Sequence, residues 1–129
     1  MYYEKRFDCH VHSDCSPRGF DSVIGLCEQA VHRGLMGFAV TDCFDCDRLD
    51  EMRFAGRIIE SVYCVSKARA VFGDSLIISS GIEVGQPLDR AASADKIIEI
   101  GKFDIVLASV KKYPDGTKIS DMDYSEMTE

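Results

Sequence analysis

Apolar runs in this chain alternate with stretches whose apolar residues recur at helical spacing. From Arg6 to Ser13 the period is two, which puts Asp8, His10 and His12 on one face of a strand and Phe7, Cys9 and Val11 on the other. A turn-rich segment with Pro17 and Gly19 follows. Ser22 or Asp21 then caps a helix with an apolar face of Val23, Leu26, Cys27, Ala30 and Val31, and Arg33-Gly34 stops it. Met36–Thr41 reads as a buried strand ending at Asp42. The span from Arg48 to Phe72 predicts a long helix through Met52, Ala55, Ile59, Val62, Val65 and Ala68, stopped near Gly73. Leu76–Val84 is a β-rich run broken at Gly81. Ser93–Lys102 is a third helix, with Ser93 as its cap and Ile97, Ile98 and Ile100 apolar, and Phe103–Val110 is a last strand. Tyr113-Pro114-Asp115-Gly116 is a turn, and Asp121–Glu129 is an acidic, polar tail.

The order is β-α-β-α-β-α-β. Continuous apolar strands alternating with helices predict a parallel sheet covered by helices, an α/β fold. Parallel strands bring their C-terminal ends to one rim, where the chemistry of such folds collects. Here those ends read His10-Val11-His12, Thr41-Asp42-Cys43, Gly81-Ile82-Glu83 and Ser109-Val110-Lys111.

Composition narrows the picture. At 129 residues and 46% hydrophobic, the chain has one domain's worth of sequence and enough apolar content for a core. No apolar run approaches the roughly 20 residues of a membrane helix, and Met1–Arg6 lacks the apolar stretch of a signal peptide. The expectation is a cytoplasmic protein without a membrane role. A net charge of −7 argues against a nucleic-acid binder, which needs clustered cations. The six cysteines then read as reduced thiols rather than a disulfide framework. Cys27 and Cys64 fall in helical patterns as small core residues, and Cys43-Phe44-Asp45-Cys46 is a lone CxxC, a weak zinc signal.

His10 and His12 are two of only three histidines, and residues two apart on a strand share a face, so both imidazoles can reach one metal. His32, near a helix end, reads as a surface residue favoured by the helix dipole. Glu83 follows an apolar run and needs a partner or a rim position, which makes it a candidate ligand. Asp42 is either a carboxylate that holds a histidine or a loop cap.

These pieces together resemble a known family. Asp8-Cys9-His10-Val11-His12-Ser13, Ser16-Pro17, Val40-Thr41-Asp42, Gly81-Ile82-Glu83-Val84-Gly85 and Ala108-Ser109-Val110 are similar, in order, to motifs of the PHP (polymerase and histidinol phosphatase) family, and most so to its histidinol-phosphatase branch. The resemblance implies a distorted TIM-like (β/α) barrel with a multi-metal site at the strand C-termini. It also implies hydrolysis of a phosphate monoester, in that branch L-histidinol phosphate of histidine biosynthesis. His10, His12 and Glu83 match family ligands. Three positions depart from the pattern: Arg18, Cys43 and Lys111 stand where related phosphatases place acidic or histidine ligands. Arg18 stays protonated and cannot ligate, Lys111 must first lose a proton, and Cys43 can ligate as a thiolate, which favours zinc. Family members are about twice this length.

The resulting expectation is a partial PHP barrel of four parallel strands over residues 1–129, with the polar tail 117–129 disordered or packed on a partner. Its metal ligands are His10, His12, Glu83 and Cys43, and Asp42, Lys111 and Arg18 are its catalytic groups. The cofactor is zinc, with manganese or iron as alternatives, and the substrate is a phosphorylated small molecule. Two other readings stay open: a degenerate half-domain that binds phosphate or a protein, and a redox or zinc-storage role for Cys43 and Cys46. An open four-stranded sheet leaves bare edges, which predicts a homodimer or a companion chain.

Overall fold

The computed structural model describes residues 6–48 and 51–125. The readings that fall on Met1–Lys5, on residues 49–50 at the head of the long helix and on the last four residues of the tail lie outside them. The elements run β1 (Phe7–Val11), α1 (Val23–His32), β2 (Gly37–Asp45), α2 (Glu51–Phe72), β3 (Ile77–Gly85), α3 (Ala91–Ile100) and β4 (Ile105–Ser109). Single 3₁₀ turns lie at Cys46–Arg48 and Ile119–Asp121. All three strand pairings are parallel and the order is β1-β2-β3-β4, a curled half-barrel with helices on its outer side.

The elements differ from expectation in ways that bear on the site. β2 continues past Thr41 to Asp45, because Asp42, Cys43 and Phe44 still pair with β3. β3 is not broken at Gly81. A Cβ there would meet Ile105 Cγ2 at 2.4 Å and Thr41 Cγ2 at 2.7 Å, so the glycine serves a close approach between neighbouring strands. Ser22 caps α1 as expected, its hydroxyl accepting from the Gly25 N–H at 3.1 Å. The third helix starts two residues earlier than Ser93, with Arg90 at its N-cap and no side-chain cap.

On α2 the buried stripe includes Ile58, Ser61, Val65 and Ala68, while Ile59 is 58% exposed. The expected face holds at Val65 and Ala68, but Ile58 rather than Ile59 packs inward, and a serine lies on the side that packs. Val31 likewise points outward from α1.

Two apolar clusters hold the helices to the sheet. One joins Val23, Cys27 and Ala30 of α1 and Val65 and Ala68 of α2 to Phe38, Val40, Leu76 and Ile78. The other joins Ile58, Ala94 and Ile97 to Phe44, Cys46, Ile82 and Val84. Each fully buried Phe or Ile in them contributes roughly 1.5–3 kcal/mol. Arg69 fastens the far end of α2: its Nε donates to the Ile78 carbonyl at 2.7 Å and its guanidinium meets Asp104 at 2.5 Å. β4 is an edge strand with Val106 exposed, and Val110 just after it is exposed too.

Candidate metal centre and the rim around it

Strand alternation sorts the rim residues. Thr41, Cys43 and Asp45 of β2 and Gly81, Glu83 and Gly85 of β3 point to the concave face, and Asp42 and Phe44 point to the helices. β1 brings His10 and His12 to the concave face from the other side.

His12 Nε2 lies 2.9 Å from Glu83 Oε2, and His10 Nε2 lies 3.8 Å from the same oxygen. The two rings meet edge to face, with centroids 4.8 Å apart. The His10 Nδ1 is bonded to Thr41 Oγ1 at 2.7 Å, which leaves Nε2 to face the carboxylate. Among the described residues these side chains form the group of donor atoms that could hold a metal, all within 4.8 Å of one another. Two imidazole nitrogens and a carboxylate oxygen are a donor set that zinc accepts, so the residues present fit the cation. Burial pushes the Glu83 carboxyl up. The neighbouring Ser109 hydroxyl, the His12 ring and the Lys111 charge outweigh burial, and the net shift is downward, toward the ionised ligand form. The Ser109 hydroxyl acts by proximity: it is buried and meets no hydrogen-bond geometry.

Asp42 is fully buried on the helix side. It accepts from the Ser13 N–H at 2.6 Å, the Ser13 hydroxyl at 2.7 Å and the Ser61 hydroxyl at 2.6 Å. Of the two roles expected for it, this arrangement is the loop-holding one: it ties the segment after His12 to α2. The residue that holds a histidine from behind is Thr41, on His10, which sequence reasoning passed over although the period-two alternation marks its face.

Cys43 pairs in register with Glu83, but its thiol lies against Lys111 Nζ at 2.7 Å. Burial drives that thiol up to about 12, more than the lysine offsets. Lys111 also forms an ion pair with Asp45. Burial alone lowers an ammonium, but Asp45 and Cys43 reverse that, so Lys111 stays charged. Gly85 leaves room for this pair, since a Cβ there would strike Asp45 Oδ1 at 1.9 Å. Lys112 pairs with Asp47. Arg18 lines a cavity of about 290 Å³ together with Cys43, Asp45, Asp47, Lys111 and Lys112, and it also borders the hollow beside His10 and His12.

Gln86 gave no signal in the sequence. It is buried, follows β3, and holds φ at +52°, a conformation that costs a non-glycine residue on the order of 1 kcal/mol. Its Oε1 accepts from the backbone N–H groups of Lys111 and Lys112, and its Nε2 donates to the Lys112 carbonyl at 3.3 Å. The strained residue thus fixes where both lysines leave β4.

Fold and rim together define an α/β half-barrel of TIM-like type with metal-capable donors at its strand C-termini, and the resemblance to the PHP family extends from sequence motifs to three dimensions. No family model and no curated protein sequence matches the chain. Among solved structures it is similar to histidinol phosphate phosphatase (HisK) from Lactococcus lactis subsp. lactis Il1403, crystallised with zinc, L-histidinol and phosphate. The TM-score is 0.74 at 27% identity, over 86% of this chain and 42% of that protein. This chain therefore spans less than half the length of that relative.

Proposed function

We propose that the chain is a metal-dependent phosphoric monoester hydrolase of the histidinol-phosphatase type, acting on a phosphorylated small molecule of histidine biosynthesis in the cytoplasm. The observation that carries this reading is the convergence of His10, His12 and Glu83 on one point of a half-barrel similar to HisK. In this reading those three residues hold zinc, with manganese or iron as alternatives. A divalent cation bound there supplies Lewis acidity toward a phosphoryl oxygen and acidifies water. Thr41 orients the His10 ring, Glu83 supplies the anionic ligand, and Arg18 and Lys111 offset phosphate charge from the neighbouring cavity. Asp42 acts at one remove, by fixing Ser13 beside His12. A second copy or a companion chain covers the open edges of β1 and β4.

The test is metal analysis of the purified chain together with phosphate release from L-histidinol phosphate. Bound metal near one equivalent and a rate that falls to background in His12→Ala and Glu83→Gln are expected. A chain that takes up no metal and releases no phosphate after zinc, manganese or iron is added would refute the reading.

The contact between Lys111 and Cys43 favours a second reading, a half-domain that binds phosphate or a protein without turning it over. A protonated thiol and a charged ammonium stand where the family resemblance calls for histidines. Cys43→His combined with Lys111→His separates the two. A large gain in metal and activity marks a weakened enzyme, and no change marks a repurposed fold.

A further inference from the structure

Beyond the metal donors, the rim holds a concentration of cations that this acidic chain shows in no other described cavity. Arg18, Lys111, Lys112 and Lys118 line the hollow of about 290 Å³, against Asp45 and Asp47. Those two acids are engaged by Lys111 and Lys112. Neither the Arg18 guanidinium nor the Lys118 ammonium has a hydrogen-bond or ion-pair partner among the described residues. The balance in the hollow is therefore positive, within a chain whose net charge is −7. Three separate parts of the fold build it: the loop after β1 brings Arg18, Gln86 fixes Lys111 and Lys112, and the bridge between Lys112 and Lys118 returns the last cation to the same wall.

We propose that this hollow is a metal-independent subsite for a phosphate-class oxyanion, distinct from the His10, His12 and Glu83 group. Its volume suits one or two phosphate groups rather than a polymer, and the negative charge of the rest of the molecule repels a nucleic acid. Arginine and lysine donors around a concave site are the groups that bind such anions through charge-assisted hydrogen bonds. Because Arg18 borders both hollows, an anion held here lies beside the donor trio. The subsite does not rest on the hydrolase reading.

The test is an NMR titration of the full chain, treated with EDTA, with inorganic phosphate and with pyrophosphate. Saturable shifts are expected at the amides of Gln86, Lys111, Lys112 and Lys118, with pyrophosphate the tighter ligand. Lys118→Glu, an exposed change that leaves the core untouched, weakens binding by about tenfold or more. The paired variant His10→Ala with His12→Ala leaves binding in place. Absence of saturable shifts, equal affinity in Lys118→Glu, or loss of binding in the histidine variant each overturns the subsite. A chain that binds pyrophosphate here yet releases no phosphate from any ester refutes only the hydrolase reading.

Discussion

The two halves of the rim use the same strand ends for opposite purposes. On the β1–β3 side, two imidazoles face an ionised carboxylate and Thr41 holds the His10 ring from behind, so the half is arranged to receive a cation. On the β2–β4 side, ammonium groups face carboxylates and a protonated thiol, so the half carries its cations already. The difference lies in what backs each half. Asp42 and Thr41 support the histidine half through contacts to adjacent strands and α2, whereas a single strained glutamine supports the lysine half.

The sharpest way to break the comparison is Asp42→Ala. It leaves the Ser13 N–H and two buried hydroxyls without their acceptor, and the expected loss is about 3 kcal/mol in chemical denaturation, with lowered zinc affinity. Unchanged stability would show that the histidine half does not depend on this anchor.

Next in size, Gln86→Ala removes the brace on the lysine half. About 1 kcal/mol of stability is expected to go, as broken hydrogen bonds outweigh any relief of strain, and zinc binding is expected to hold. If zinc affinity fell as far as in Asp42→Ala, the halves would be one coupled unit.

The smallest effect concerns the buried thiols. Burial raises Cys15 and Cys27 to about 11 and Cys43 to about 12 from an ordinary 9.0. A folded value above the unfolded one means their contribution is fully present below the unfolded pKa and is lost as pH rises through the folded values. Stability is therefore expected to decline from about pH 9 upward. At pH 8 a maleimide is expected to label exposed Cys9 well before these thiols. Rapid labelling of Cys43 would mean that the contact with Lys111 is open in solution.

Much of the fold was legible because it depends on local periodicity. The βα alternation and the parallel sheet follow from apolar runs and helical spacing, and Ser22 is the cap its position suggests. Boundaries shifted where partners distant in sequence decided them. β2 runs on to Asp45 because β3 pairs with it, and α2 turns Ser61 inward because Asp42 waits there.

For the site, the sequence by itself determined that His10 and His12 share a face, since a strand alternates with period two whatever surrounds it. It also carried the ordered motifs that resemble the PHP family, and the match to HisK repeats that resemblance in three dimensions. The sequence also marked Glu83 as a candidate ligand, and the tertiary structure brings it, 71 residues from His12, to the same point. Only the tertiary structure showed that Thr41 rather than Asp42 steadies His10, and that Gln86 sets both lysines. The reason is physical: face and spacing are properties of the backbone alone, whereas a contact across a parallel sheet depends on register and crossover geometry, which no local window of the chain contains.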